Sequence, residues 1–315
     1  MKAGAYLRAE TLQQALEALE KGGCMVLAGG TDVLVKARER DPYGEKTLLD
    51  IARVPELRGL NETEGALEIG AAVTLSEILE SEKVKRAAPL LLQAAFQVGS
   101  TQIRNRATLA GNVANACPAA DCIPALLVLG AAVELQSTAG RRTVPVEQLF
   151  KACPACLRHA GMHVKTCFFA DPMAQKLLLK PGELIVSIRV KKQQPEEKSL
   201  FYKLRQNANI GMAVMNLALA GKLDAQQRIV DVRASMGGLF AKPCLLESCV
   251  APLIGRKLTE EALQACAAAA AERMDAGAKS LADFAYKRAV MPQLLTDGLR
   301  ALFWNVPIDG EEEPI

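Results

Sequence analysis

The chain lacks the marks of most specialised protein classes, and each absence narrows its function. With 38 Lys+Arg against 35 Asp+Glu the formal net charge is only +3, and no run of five or six basic residues occurs. A footprint for a phosphate backbone is therefore missing, and nucleic acid is not expected as a partner. Long apolar runs are missing too: the nearly uncharged stretch around IPALLVLGAAV falls short of the roughly 20 residues that cross a bilayer, so no membrane span is expected. The first twenty residues, MKAGAYLRAETLQQALEALE, mix charge with apolar residues at helical spacing and lack the apolar core and cleavage site of a secretory signal. Histidine is scarce, with two in all, and neither a Ser-His-Asp arrangement nor a metal-hydrolase motif is present. Nine cysteines is an odd number, and Cys24 and Cys266 sit in apolar surroundings, which argues against a disulfide framework and for a reducing, cytoplasmic compartment.

What is present is ordinary globular material. Half of the 315 residues are apolar and 23% are charged, enough for about two domains with cores of their own. Thr11-Leu-Gln-Gln14 is a capping box that opens a helix ending at Gly22-Gly23, and Thr74-Leu-Ser-Glu77 opens another. CMVLA, TLLDI, ALEIGAAV and ELIVSIRV have strand patterns, and an apolar helix is expected near Leu90 to Val98. The polar run KKQQPEEK, Lys191 to Lys198, separates this mixed region from three strand-like segments, LFYKLRQ, MAVMNLALAG and IVDVRASMGG. An alanine-rich helix and a capped helix starting near Ser280 follow, so strands come before helices, as in an α+β domain. The expected domains are residues 1–194 and 195–315.

Two glycine segments carry chemistry. The strand ending in Ala28 runs into Gly29-Gly30-Thr31-Asp32 and out into a helical pattern. Glycine lets backbone amides approach an anion closely, and a helix N-terminus favours negative charge, so a phosphate could sit there. A plain turn reads equally well, and the spacing is not GxGxxG. In the second segment, Ala107-Thr-Leu-Ala-Gly-Asn112, Thr108, Gly111 and Asn112 supply a hydroxyl, bare backbone and an amide. Asp121, in the turn Pro-Ala-Ala-Asp, is suited either to ribose hydroxyls or to capping a helix that begins near Pro124.

In order and spacing, LAGGTDVLVKAR, IGAAVTLSEI, VGSTQIRNRATLAGNVANACPAADCIPALLVLGA and KPGELIVSIRV resemble the FAD-binding medium subunits of the molybdenum hydroxylases, the xanthine dehydrogenase and carbon monoxide dehydrogenase family. The likeness extends through MGGLFAKP and ADFAYKRAVMPQLLTDGLRAL to nearly the whole chain. It implies an α+β protein: a two-lobed vanillyl-alcohol-oxidase (PCMH)-type FAD-binding domain, with lobes of about 1–55 and 56–194, then an α+β domain of the CO dehydrogenase flavoprotein type. By the same resemblance Ala28, Gly29, Gly30, Thr31 and Asp32 would cradle the FAD pyrophosphate together with Thr108, Gly111 and Asn112. Asp121 would hold the adenosine ribose, Ile185 would lie near the isoalloxazine, and Lys203 would reach the flavin edge. The implied partners are a molybdopterin-binding large subunit, a [2Fe-2S] small subunit, and NAD+ or another electron acceptor. In keeping with that division of labour, the chain has no plant-type ferredoxin Cys-x4-Cys-x2-Cys run of its own. Purine, aromatic acid, aldehyde and carbon monoxide substrates are not distinguished by this sequence, and overall resemblance alone inclines the reading to the purine dehydrogenase branch. The alternative is a stand-alone FAD-dependent oxidase or dehydrogenase acting directly on a small organic substrate.

One stretch departs from the family pattern. About residues 151–176, before KPGE, an insertion holds Cys153, Cys156 and Cys167 with His159 and His163. Cys-Pro-Ala-Cys, with a third cysteine eleven residues on, places soft thiolates at metal-ligand spacing, one short of four. A [4Fe-4S] cluster completed by a histidine, or by Cys117 or Cys122, is one reading, and a partner-contact loop with free cysteines is the other. Relatives such as the 4-hydroxybenzoyl-CoA reductases carry their extra cluster inside the second glycine motif instead, so their ligands do not transfer here.

Overall fold

The computed structural model describes residues 4–40, 45–151, 177–205, 211–240, 242–277 and 283–308. Three short parallel strands come first, because each is linked to the next by a helix: β1 (Ala5–Arg8), β2 (Cys24–Leu27) and β3 (Thr47–Asp50), with β3 in the middle. Helix α1 (Leu12–Lys21) buries Leu12, Ala15, Leu16 and Ala18, the stripe that helical periodicity demands. Its capping box is only half made. Thr11 Oγ1 accepts from Gln14 N at 3.2 Å, while Gln14 Oε1 accepts from the amide of Glu10 instead of that of Thr11. Helix α2 (Val33–Arg40) leads from β2 back toward β3.

A second sheet is antiparallel, in the order β4-β5-β8-β6-β7: β4 (Leu60–Glu62), β5 (Ala66–Gly70), β6 (Ala132–Ser137), β7 (Gly140–Pro145) and β8 (Leu184–Lys191). Between β5 and β6 the chain makes short helices α3 (Leu75–Glu80), α4 (Glu82–Ala87), α5 (Pro89–Phe96), α6 (Thr101–Arg104), α7 (Leu109–Asn115) and α8 (Cys122–Val128). At α3 the capping box is complete, with Thr74 and Glu77 bonding each other's amides. Every residue of α8 is buried, as its all-apolar sequence CIPALLV requires.

The carboxy-terminal part is an antiparallel sheet, β11-β10-β9, made of β9 (Lys198–Arg205), β10 (Ala213–Leu223) and β11 (Ile229–Gly237). Short α9 (Val146–Leu149) follows β7, short α10 (Glu247–Val250) follows β11, and the chain closes with α11 (Glu260–Gly277) and α12 (Phe284–Trp304). Helix α12 thus starts four residues beyond Ser280, and Asp283 at its N-terminal boundary makes no side-chain cap bond. Strand β10 is buried on both faces. Met215, Leu217 and Leu219 enter a core shared with α11 and α12, whereas Ala218 and Ala220 face the core of the first domain. That double burial explains the nearly unbroken apolar run MAVMNLALAG.

The polar run between the domains is pinned down. Gln193 is buried, its amide donates to Ala87 O at 2.8 Å, and its Oε1 accepts from Leu90 N at 2.8 Å. It thereby satisfies an amide at the start of α5, where Ala88 offers no capping side chain. No helix among the described residues is long and apolar enough to cross a membrane.

The insertion begins and ends at one place. Phe150 and Leu177 form an antiparallel bridge, and Leu178 N donates to Leu149 O at 2.8 Å. Arg142 clasps this junction: Nε reaches Glu183 Oε1 at 2.6 Å, and Nη2 reaches Glu183 Oε2 at 2.8 Å and Leu178 O at 3.0 Å. The Arg142 guanidinium, helped by the Lys180 amide, holds the Glu183 carboxyl below its ordinary value of 4.5, against the opposing effect of burial. A carboxyl depressed in the folded state stabilises fully above the ordinary value, and that stabilisation is lost as pH falls through the depressed one. Glu183→Gln should therefore cost about 1–2 kcal/mol in a urea titration at neutral pH and converge on wild type in acid. Equal stability of the two proteins at neutral pH would show that the clasp contributes nothing.

Candidate functional site

The first glycine loop leaves β2 at Leu27 and enters α2 at Val33. Gly29 lies against the backbone of Arg106 and Ala107 so closely that a Cβ would collide with the Arg106 carbonyl. Gly30 has φ +77°, a conformation that residues with a Cβ rarely adopt. The loop's carbonyls start the helix, Gly30 O accepting from Leu34 N and Asp32 O from Lys36 N, both at 3.0 Å. Its amides are left over: among the described residues nothing accepts from the backbone N–H of Gly29, Gly30 or Thr31.

The second segment is held from both sides. Leu75 N donates to Ala107 O at 2.8 Å, and Thr74 and Thr108 form an isolated antiparallel bridge. Thr108 is the N-cap of α7, its Oγ1 accepting from Gly111 N at 2.9 Å, so this hydroxyl serves the helix first. At the far end of α7, Asn115 Nδ2 donates to Asp32 Oδ1 at 2.9 Å, and Lys36 Nζ donates to Asn115 Oδ1. The sites read from the two sequence segments, Ala28–Asp32 and Thr108–Asn112, therefore lie side by side. Asn112 Oδ1 is buried there with no donor among the described residues, a state that protein interiors seldom leave unfilled.

Asp121 and Lys203, 82 residues apart, meet at the seam between the domains. Lys203 Nζ donates to Asp121 Oδ2 at 2.6 Å and to Gln97 O at 2.9 Å, and the two charged side chains are 3% and 7% exposed. Of the two local readings of Asp121, the cap is not realised: Asp121 precedes α8 with helical φ −71° and ψ −35° and makes no cap bond. Its other oxygen accepts from Asn216 Nδ2 at 3.0 Å. Burial pushes the Asp121 carboxyl above its ordinary range, against the pull of Lys203 and Asn216. Burial likewise raises the neighbouring Cys122 thiol, and Cys122 packs in the core of the first domain.

Asn216 was missed in the sequence, where its one signal is an amide in the middle of an apolar strand. Ile185 is a core residue of β8 paired with Leu135, next to a register shift in the β6–β8 ladder. Cys153, Cys156, Cys167, His159 and His163 lie outside the described residues. Among those described, no group of three or more acidic, histidine or cysteine side chains could hold a metal ion.

The chain has clear similarities to known proteins. A family model described as the FAD binding domain in molybdopterin dehydrogenase matches residues 2–191, and one for the CO dehydrogenase flavoprotein C-terminal domain matches 201–302. The glyceraldehyde dehydrogenase medium chain of Sulfolobus acidocaldarius is 29% identical over 292 residues, 92% of this chain and 94% of that one. The xanthine dehydrogenase FAD-binding subunit of Escherichia coli O157:H7 is 38% identical over 144 residues, 45% of this chain and 49% of that one. Among solved structures, carbon monoxide dehydrogenase from Hydrogenophaga pseudoflava lacking the Mo-pyranopterin moiety superimposes with a TM-score of 0.81 at 26% identity, covering 96% of this chain and 97% of that one.

Removing one partner of a buried pair leaves the other charge uncompensated. Asp121→Ala should therefore destabilise the protein by about 3–5 kcal/mol in urea titrations, and adding Lys203→Met should recover most of the loss. A single variant as stable as wild type would mean that the pair does not hold the seam.

Proposed function

This chain belongs to the family of FAD binding domains in molybdopterin dehydrogenases and is an FAD-binding oxidoreductase subunit of the molybdenum hydroxylases; on that premise we propose that it is the electron-transfer subunit of a three-part enzyme. In this reading a molybdopterin-binding large subunit oxidises the substrate, and electrons cross the [2Fe-2S] clusters of a small subunit to FAD on this chain and leave to NAD+ or another acceptor. The observation that carries the reading is the meeting of the two glycine segments, with the Gly29, Gly30 and Thr31 amides left without an acceptor among the described residues. The purine dehydrogenases are the branch we favour, on the identity with the xanthine dehydrogenase subunit.

The residues fit the cofactor. Ala28, Gly29, Gly30, Thr31 and Asp32, with Thr108, Gly111 and Asn112, hold the pyrophosphate, because free amides beside the start of α2 suit an anion. The buried Asn112 Oδ1 calls for a donor, which a sugar or ribityl hydroxyl supplies and a phosphate does not. By the family resemblance Asp121 would hold the adenosine ribose, Ile185 would lie by the isoalloxazine and Lys203 would reach the flavin edge; because Asp121 and Lys203 bond each other at 2.6 Å, an extended FAD meets this pair at one end only. When bound, FAD supplies the electron chemistry that no side chain here can. The chain's own work is to bind it, orient it and exclude water, which agrees with a sequence of two histidines.

The insertion is the second place for a cofactor. The spacing of Cys153, Cys156 and Cys167 supports a [4Fe-4S] cluster that gives the flavin another electron route, on a loop whose ends meet at Phe150 and Leu177. A partner-contact loop with free cysteines is the competing use of the same segment.

Anaerobically purified protein should show flavin bands that pass into the supernatant as FAD on acid release. Gly29→Val should lose them, because its side chain would collide with the Arg106 carbonyl. A colourless wild-type chain that cannot be reconstituted with FAD would sink the reading. For the insertion, iron and acid-labile sulfide should each approach four per chain if the cluster is present. Sub-stoichiometric iron would reject the cluster and leave the contact loop.

A further inference from the structure

The Asp121 carboxylate is aimed by a residue of the other domain. Asn216 lies in β10 and is fully buried. Its Oδ1 accepts from Gly237 N at 2.9 Å, and its Nδ2 donates to Asp121 Oδ1 at 3.0 Å and to Ala120 O at 3.4 Å. The Gly237 amide can only donate, so it decides which end of the Asn216 amide faces it, and the NH2 must point at the carboxylate. A Cβ at residue 237 would strike Asn216 Oδ1, so the arrangement depends on glycine there. The same stretch of chain is tied a second time, by Gly238 N to Pro118 O at 2.7 Å. With one oxygen held by Asn216 and the other by Lys203, the carboxylate has no freedom to rotate.

We propose that Asn216 is a positioning residue of the FAD site, a C-terminal-domain amide that orients Asp121 so that the cofactor site is complete only when the two domains are seated on each other. This rests on the reading of Asp121 as an FAD-binding residue. Asn216 touches Asp121 and Ala120, and it acts through them.

The test is FAD dissociation from the full-length chain, followed by flavin fluorescence, for wild type, Asn216→Leu and Asn216→Asp, with the thermal midpoint of each apoprotein measured alongside. Asn216→Leu removes the donor and should weaken FAD binding about tenfold, the equivalent of one charge-assisted hydrogen bond. Asn216→Asp is nearly isosteric, so it keeps the test open if the leucine variant does not fold. It sets a second carboxyl against Asp121 Oδ1, in a site whose other titratable and charged neighbours are Lys203, Arg205 and Cys122. Two carboxylates so close share a proton, so the ratio of variant to wild-type dissociation constants should fall toward one as pH is lowered from about 8.5 to 6. A purely architectural asparagine would lower the thermal midpoint without that pH trend. Wild-type FAD affinity in both variants, or a weakened Asn216→Asp affinity that is flat with pH, would overturn the proposal. Failure of wild type itself to bind FAD would instead strike the FAD reading on which it rests.

Discussion

Two backbones far apart in sequence approach so closely at Gly29 and Arg106 that no side chain can lie between them, and the rest of the site depends on that approach. It brings the end of a parallel strand against the segment that caps α7, and so makes one cradle out of two unremarkable turns. The surroundings hold the geometry from both sides: Leu75 and the Thr74–Thr108 bridge fix the second segment, and Asn115 of α7 bonds across the gap to both Asp32 and Lys36. None of these bonds is strong alone. Together they hold the amides of the first loop and the unsatisfied Asn112 oxygen in place before any ligand arrives, which lowers the ordering cost of binding.

The seam between the domains follows a different logic. Apolar contact across it is supplied by Phe201 of β9 and by Ala218 and Ala220 on one face of β10. The polar groups constrain the alignment further. Lys203, Asp121, Asn216 and the Gly237 amide satisfy each other only in the observed alignment, and any slip would bury an unpaired charge. Specificity of docking, more than net stability, is the physical return from a buried ion pair in such a place.

A subunit of this kind has little acid–base chemistry to perform. The side chains around the two loops cap α7 and tie the two segments together, and on the proposed function substrate selection belongs to a part of the enzyme outside this chain. Relatives named for glyceraldehyde, xanthine and carbon monoxide share this one architecture, as that proposed division would allow.

By itself the sequence determined whatever is encoded within a few residues of itself. The box at Thr74 and Glu77, the stripe of α1, the strand-glycine-helix order at Ala28–Asp32 and the double-sided apolar run of β10 were all legible, because caps, periods and turns are set by neighbours three or four positions away. The box at Thr11 was legible only in part, since Gln14 chose the amide of Glu10 over that of Thr11. Resemblance in order and spacing carried the family and its cofactor. Only the tertiary structure decided what Asp121 touches: read locally it was a cap or a ligand, and folding turned it toward Lys203 and Asn216, 82 and 95 residues away. Asn216 itself was hidden, because one amide in an apolar strand gains meaning only from the charge packed opposite it. Short-range signals survive in the order of residues, whereas the pairing of distant polar groups is settled by which faces the cores bring together.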